Sequence, residues 1–118
     1  MQLPKECVLL RIFLGEKERS GHSPLYEAIV LKARETGMAG ATVLRGPMGF
    51  GLSSRIHTAK ILDLSEDLPM VIEIVDTYDK VEGFLEVIDP MMTGGLITLE
   101  KATVIQYGPQ RDGEPGNG

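Results

Sequence analysis

The sequence of 118 residues predicts an α+β domain in which strands and helices follow the order strand, helix, strand, strand, helix, strand. Two short aliphatic runs, CVLLRIFL from Cys7 and MVIEIV from Met70, have the length and composition of central strands. Two further segments carry apolar residues at helical spacing, and glycine or proline separates the elements. This order is the split βαβ pattern of ferredoxin-like domains, an antiparallel sheet with two helices on one face.

Alternation along the first strand, residues 7–14, divides its side chains between two faces. One face would carry Val8, Leu10, Ile12 and Leu14, and the other Leu9, Arg11 and Phe13. Two helices cover only one sheet face, so apolar side chains remain on the other, including either Val71 and Val75 or Ile72 and Ile74. On so small a domain such a face is typical of an oligomer interface. If Arg11 and Glu73 share it, they form a cross-strand ion pair.

The first helix follows a polar loop at residues 15–22. Ser23 is suited to be its N-cap and Pro24 its first helical residue, because proline lacks the N–H that is unpaired there. The buried stripe is Leu25, Ala28, Ile29 and Ala33. Gly37 is placed to end the helix as its C′ residue.

The second half of the chain begins with a strand at residues 41–45, an irregular loop at 46–58 and an extended segment at 59–64. The strand at 70–75 leads to a second helix, which Asp76 or Thr77 caps and which ends near Ile88. Its apolar residues are Val81, Phe84, Leu85 and Ile88. The loop at 91–95 and a last strand at 96–105 follow. We therefore expect one folded domain over residues 1–107 and a flexible tail rich in glycine and proline over 108–118.

Composition excludes several classes of protein. The formal net charge is −5 and the sequence contains no cluster of Lys and Arg, so a nucleic-acid partner is not expected. No apolar run approaches the roughly 18 residues of a membrane span, and the N-terminal residues do not resemble a secretory signal. A single cysteine excludes an internal disulfide and fits a reducing compartment. A cytoplasmic location is the expectation.

The segment 37–51 holds five of the 14 glycines and is the main candidate for a binding site. The loop at residues 45–54, which overlaps its second half, would surround an anion with backbone N–H groups, with Gly46, Gly49 and Gly51 permitting close approach and Arg45 supplying positive charge. Phe50 would stack on a base or contact a partner. The alternative is a tight turn with Phe50 lying over the core. The segment matches neither a Walker motif nor a dinucleotide-binding fingerprint.

These motifs resemble those of the PII nitrogen-regulatory proteins, and more closely an uncharacterised prokaryotic family of PII-like proteins. The resemblance spans roughly residues 8–105 and includes His22-x-Pro24-Leu25-Tyr26-Glu27, Gly40-Ala41-Thr42-Val43-x-Arg45-Gly46-x-x-Gly49-Phe50-Gly51, and Leu68-Pro69 before Glu73-Ile74-Val75-Asp76.

The resemblance implies a homotrimer with its sheets facing inward. It also implies small effectors, usually adenine nucleotides, in clefts between subunits. Arg45, Gly46, Gly49 and Gly51 of one subunit would then meet Gly94 and Gly95 of a neighbour. The loop 46–58 would report occupancy to an unknown target protein, for which membrane transporters and channels are the precedents.

Two departures from the PII pattern concern the phosphate groups. Leu96 stands where PII proteins have a lysine, and the last strand ends in Thr103-Val104-Ile105-Gln106-Tyr107 where they have arginines. Without those cations a triphosphate would meet poorly compensated charge. A monophosphate, a cyclic nucleotide or a different ligand therefore fits the sequence better than ATP.

Catalytic and metal sites are not expected. His22, His57 and Cys7 lack the spacing of ligand pairs, and Cys7 is interpreted as a small strand hydrophobe. Glu73 and Asp76 have structural roles available, as an ion-pair partner and a helix cap, and no nucleophile and base are arranged together. We therefore predict neither an enzyme nor a resident cofactor.

The alternatives to an effector-binding regulator are a metal-binding tolerance protein of the trimeric copper-tolerance type, using His22 and His57, and a structural trimeric scaffold.

Overall fold

A four-stranded antiparallel sheet organises the residues that the computed structural model describes, 3–49 and 67–108. The strands are β1 (Glu6–Gly15), β4 (Thr42–Arg45), β5 (Pro69–Asp76) and β6 (Leu96–Thr103), in the spatial order β4-β5-β1-β6. Helices α1 (Leu25–Glu35) and α2 (Tyr78–Ile88) complete the βαββαβ order, and a 3₁₀ turn, Asp89–Met91, follows α2. The predicted ferredoxin-like fold class is confirmed.

The core lies between the two helices and one face of the sheet. The two central strands supply alternate residues to it, and both helices add one stripe each. Its fully buried apolar members are Leu10, Ile12, Leu25, Ile29, Ile72, Ile74, Val81, Phe84 and Ile88. Ile72 and Ile74 therefore lie beneath the helices, which leaves Val71 and Val75 for the opposite face.

We call that opposite face the open face, and it is patterned in rows across the sheet. Leu44, Val71, Phe13 and Leu96 are successive partners in the strand register and form an apolar row. The next row contains Arg11 and Glu73, which are direct cross-strand partners. Arg11 Nε donates to Glu73 Oε2 at 2.9 Å, and Arg11 Nη1 donates to Glu100 Oε2 at 3.0 Å. The predicted Arg11–Glu73 pair is confirmed, and the hydrogen bond to Glu73 is the main cause that raises the pKa of Arg11.

The start of α1 differs from the prediction. A small hairpin spans residues 19–24, with β2 (Arg19–Ser20) paired to β3 (Ser23–Pro24), where the sequence predicted a polar loop followed by the helix cap. Ser23 is a strand residue there, so Pro24 takes the N-cap position with φ −60° and ψ 139° and no side chain caps the helix. The Leu25 N–H instead donates to the carbonyl of Glu18 at 2.7 Å, so the turn before the hairpin performs the capping.

The C-terminal end of α1 and the N-terminal end of α2 agree with the sequence prediction. Gly37 has a φ of 79°, and the N–H groups of Gly37 and Met38 donate to Arg34 and Ala33, which is a Schellman motif. Thr77 caps α2 by accepting from the Lys80 N–H at 3.2 Å. The last strand ends at Thr103, two residues before the predicted end. The extended segment 59–64 and the tail beyond Gly108 lie outside the described residues.

Candidate functional site

The strand register places the two halves of the candidate site at the same end of the sheet. Arg45 is opposite Met70, Met70 is opposite Leu14, and Phe13 is opposite Leu96. Gly95 therefore lies in the same row as Arg45, on the other edge strand. Three strand spacings separate them by about 14 Å. Within one chain these residues border opposite edges and do not form a single cradle.

Arg45 is already engaged within its own chain. Its Nη2 lies 2.6 Å from Oε2 of Glu16, and its side chain is 54% exposed. Glu16 follows β1 directly, and its N–H donates to the carbonyl of Leu68 at 2.8 Å. Any anion that binds Arg45 through this nitrogen therefore meets a carboxylate at the same place. No local sequence pattern indicates this partner, because 29 positions separate the two residues.

Gly46 and Gly49 pack against a proline ring, which accounts for both glycines structurally. A Cβ on Gly46 would lie 2.8 Å from Cγ of Pro69, and one on Gly49 would lie 3.1 Å from the same atom. The N–H of Gly46 donates to the carbonyl of Pro69 at 2.8 Å. This contact supports the tight-turn interpretation for these two positions. Phe50 and Gly51 lie outside the described residues.

Gly95 is also required by the backbone. It has a φ of 94°, and a Cβ there would lie 2.5 Å from the carbonyl oxygen of Phe13. Gly94 is half-buried beside it, and the preceding Thr93 donates from Oγ1 to Oε1 of Glu18 at 3.4 Å. The loop 91–95 is thus joined to the turn after β1.

The turn at residues 15–18 connects the segments around the candidate site, and sequence reasoning missed it. Glu18 Oε2 accepts the Gly15 N–H at 2.8 Å, and Asp67 Oδ1 accepts the Lys17 N–H at 3.0 Å. Together with the Glu16–Arg45 ion pair and the Thr93–Glu18 contact, these bonds connect β4, the segment before β5 and the loop before β6. The carboxylates of Glu16, Glu18 and Asp67 make this end of the sheet locally acidic.

A separate cavity of about 540 Å³ lies at the other end of the open face. Leu9, Glu73 and Val75 line its floor, and residues 103–107 border it. The Tyr107 hydroxyl donates to the carbonyl of Ala39 at 2.7 Å, and the Ala39 N–H donates to the buried carboxylate of Asp76 at 2.8 Å. None of the described residues predicted to bind an effector, which are Arg45, Gly46, Gly49, Gly94 and Gly95, lines this cavity.

The residues considered for metal binding and catalysis do not converge in the described part of the chain. No three His, Cys, Asp or Glu side chains within residues 3–49 and 67–108 are grouped so as to hold a metal ion. The backbone carbonyl of His22 accepts from Arg19, and His57 lies outside the described residues. Cys7 is buried as predicted, and burial raises the pKa of its thiol. Glu73 is held by Arg11, as expected for an ion-pair partner.

Neither described helix is long and apolar enough to cross a bilayer.

Solved structures of distant sequence share this fold. CPII from Thiomonas intermedia K12, in a structure with ADP and bicarbonate bound, matches with a TM-score of 0.61 at 18% identity, over 86% of this chain and 90% of that one. The divalent ion tolerance protein CutA1 from Ehrlichia chaffeensis matches with a TM-score of 0.54 at 14% identity, over 88% of this chain and 86% of that one. At these identities the likeness concerns the fold alone.

Sequence comparison gives the family directly. A UPF0166 protein of Aquifex aeolicus is 42% identical over 97 residues, which are 82% of this chain and 91% of that protein. The family model DUF190, described as "Uncharacterized ACR, COG1993", matches residues 7–104. The chain therefore belongs to the DUF190 (UPF0166) family, an uncharacterised prokaryotic family whose fold is PII-like.

Proposed function

We propose that this protein is a PII-like regulator that binds a small anionic effector, an adenine nucleotide, between the subunits of a homotrimer. Binding would order the loop 46–58 and change how it fits a target protein. A ligand shifts such an equilibrium only by its differential affinity for the two states of the loop.

The observation that carries this proposal is the fold shared with CPII, whose structure holds ADP and bicarbonate. The strand register adds support, since Arg45 and Gly95 lie at one end of the sheet but on opposite edges. In a closed ring of identical copies, one edge of each subunit faces the other edge of the next. That arrangement would bring Arg45 and Gly46 of one subunit to Gly94 and Gly95 of its neighbour.

The charges at this end of the sheet favour an effector with few phosphates. Arg45 supplies one guanidinium, which is paired with Glu16, and Glu18 and Asp67 add two further carboxylates to the turn that carries Glu16. Residues 96–108, which are β6 and the described residues after it, contain no arginine. The lysine of β6, Lys101, is opposite Val8 on the helix side of the sheet. AMP, ADP or a cyclic nucleotide should therefore bind better than ATP.

Thermal melting of the tag-free protein tests the proposal with AMP, ADP, ATP and the cyclic mono- and dinucleotides, each with and without bicarbonate. A ligand at 100 times its Kd adds about 2.7 kcal/mol per site. For a domain of this size that raises Tm by several degrees. A selective rise identifies the effector class, whereas identical melting curves across the whole panel contradict the proposal.

A metal-binding tolerance protein is the second candidate, because CutA1 shares the fold. The described residues offer no cluster of ligands, so such a site would need His57 or another residue outside them. Metal analysis of protein purified without an affinity tag separates this candidate from the first. A structural trimeric scaffold, the third candidate, predicts that neither nucleotides nor metals bind.

A further inference from the structure

We propose that Glu16 sets the ligand specificity of the candidate site by occupying Arg45 until an anionic ligand displaces it. The proposal rests on the proposed function, since it concerns the same site. It assigns to Glu16 a role as an internal competitor, whose carboxylate takes the position that a phosphate oxygen would take.

The geometry of the ion pair supports this role. Oε2 of Glu16 lies 2.6 Å from Nη2 of Arg45, which is direct ion-pair contact. The Glu16 side chain is 26% exposed and the Arg45 side chain 54%, so solvent and ligands reach the guanidinium more easily than the carboxylate. A phosphate can therefore approach Arg45 from the solvent side and compete for its donors.

The backbone keeps Glu16 close to the ligand after displacement. The Glu16 N–H is fixed to the Leu68 carbonyl at 2.8 Å, and the next N–H is fixed to Asp67 Oδ1 at 3.0 Å. The displaced carboxylate can rotate away but its main chain stays in place. Its repulsion of the ligand therefore grows with the ligand's negative charge, so Glu16 disfavours ATP more than AMP.

The two neighbouring carboxylates have other partners. Glu18 accepts the Gly15 N–H at 2.8 Å and Asp67 accepts the Lys17 N–H. Glu16 is thus the carboxylate of this turn that contacts Arg45, and it is the one whose removal should release the guanidinium.

The test compares Glu16→Gln with wild type by calorimetric titration of AMP, ADP and ATP at one fixed low salt concentration. Loss of an exposed ion pair of this kind corresponds to about three- to fivefold tighter binding of AMP. The gain for ATP should exceed the gain for AMP. Glu27→Gln, an exposed site on α1, is the control for loss of one negative charge and should leave all three affinities unchanged.

A second comparison tests whether the effect passes through Arg45. In an Arg45→Gln background, the gain from Glu16→Gln should be smaller than in the wild-type background, because the competed donor is absent and only the direct repulsion between Glu16 and the ligand is relieved. Equal affinities of wild type and Glu16→Gln, or a gain matched by Glu27→Gln, overturn the role of Glu16 while leaving nucleotide binding intact.

Failure of the proposed function gives a different result, in which no nucleotide binds either wild type or Glu16→Gln. The competition is then tested with sulfate, by following the side-chain ¹⁵Nε resonance of Arg45. A shift with sulfate in Glu16→Gln but not in wild type supports occupation of Arg45 by Glu16. Identical titrations of the two proteins overturn it.

Discussion

Gly95 shows at the residue scale why a glycine near a site need not serve a ligand. Its φ of 94° and the 2.5 Å that would separate a Cβ from the Phe13 carbonyl both exclude larger residues. We expect Gly95→Ala to lower the free energy of unfolding by on the order of 2 kcal/mol. Urea unfolding at one protein concentration measures the change.

Gly83 is the matched control, because a Cβ there meets no heavy atom within 4 Å on the exposed side of α2. Gly83→Ala should stabilise the protein by up to about 1 kcal/mol through helix propensity. If both alanine variants unfold like wild type, the backbone argument for Gly95 is wrong.

The glycines of the candidate site show a limit of prediction from sequence. The glycines at 46, 49 and 95 were predicted to approach a ligand, and each has a packing or conformational reason within its own chain. In the sequence alone, a glycine that packs against a proline ring cannot be distinguished from a glycine that lets a phosphate approach the backbone. The Arg11–Glu73 pair was predictable because two strong strands fix their faces by period two, and a one-residue slip would have separated the side chains.

At the element scale, the loop between α1 and β4 is held by a side chain from the end of β5. Asp76 is fully buried, and its two oxygens accept the N–H groups of Ala39 at 2.8 Å and Thr77 at 2.7 Å. Lys80 Nζ lies 3.9 Å from the same carboxylate. Of the two residues predicted as possible caps of α2, Thr77 takes that role, and Asp76 instead joins the loop before β4 to the core.

Asp76→Asn should therefore destabilise the protein, because an amide offers one oxygen where two N–H donors converge. Hydrogen bonds to charged groups contribute about 1.5–3 kcal/mol each, so a loss of about 2 kcal/mol is expected. The measurement is the urea midpoint at constant protein concentration. Asp79→Asn, exposed in the first turn of α2, is the control and should lose only the interaction of one exposed charge with the helix dipole, about 0.3–1 kcal/mol. An Asp76→Asn protein as stable as that control would show that the loop does not depend on this carboxylate.

Sequence patterns best located the elements whose hydrogen-bond partners lie only a few positions away in the sequence. The Schellman motif at Gly37 and the cap at Thr77 involve residues within five positions of each other. The hairpin at residues 19–24 was missed because two-residue strands have no period to detect. The Tyr107–Ala39 and Glu16–Arg45 contacts were missed because the fold, and no local pattern, brings those residues together.

For the whole molecule, the open face is the surface that a second and a third copy would cover. The apolar row of Leu44, Val71, Phe13 and Leu96 crosses all four strands, and Leu44 and Leu96 are 49% and 56% exposed. Beside it lies Arg11, which forms ion pairs with Glu73 and Glu100. A face that is apolar at one end and carries paired charges beside it has the composition of a subunit interface. The cavity bordered by Tyr107 lies on this same face and would be enclosed with it.

The predicted homotrimer can be tested on this face with a matched pair of substitutions. Light scattering should give wild type three times the 12.9 kDa of one chain. Val71→Glu places a charge in the middle of the apolar row and should dissociate the assembly, because three buried carboxylates would lack partners. Leu31→Glu makes the same kind of change at a side chain 58% exposed on the helix side, and it should leave the mass unchanged. If Val71→Glu keeps the wild-type mass, the inward-facing sheet is wrong. If Leu31→Glu alone dissociates the protein, the helices form the interface.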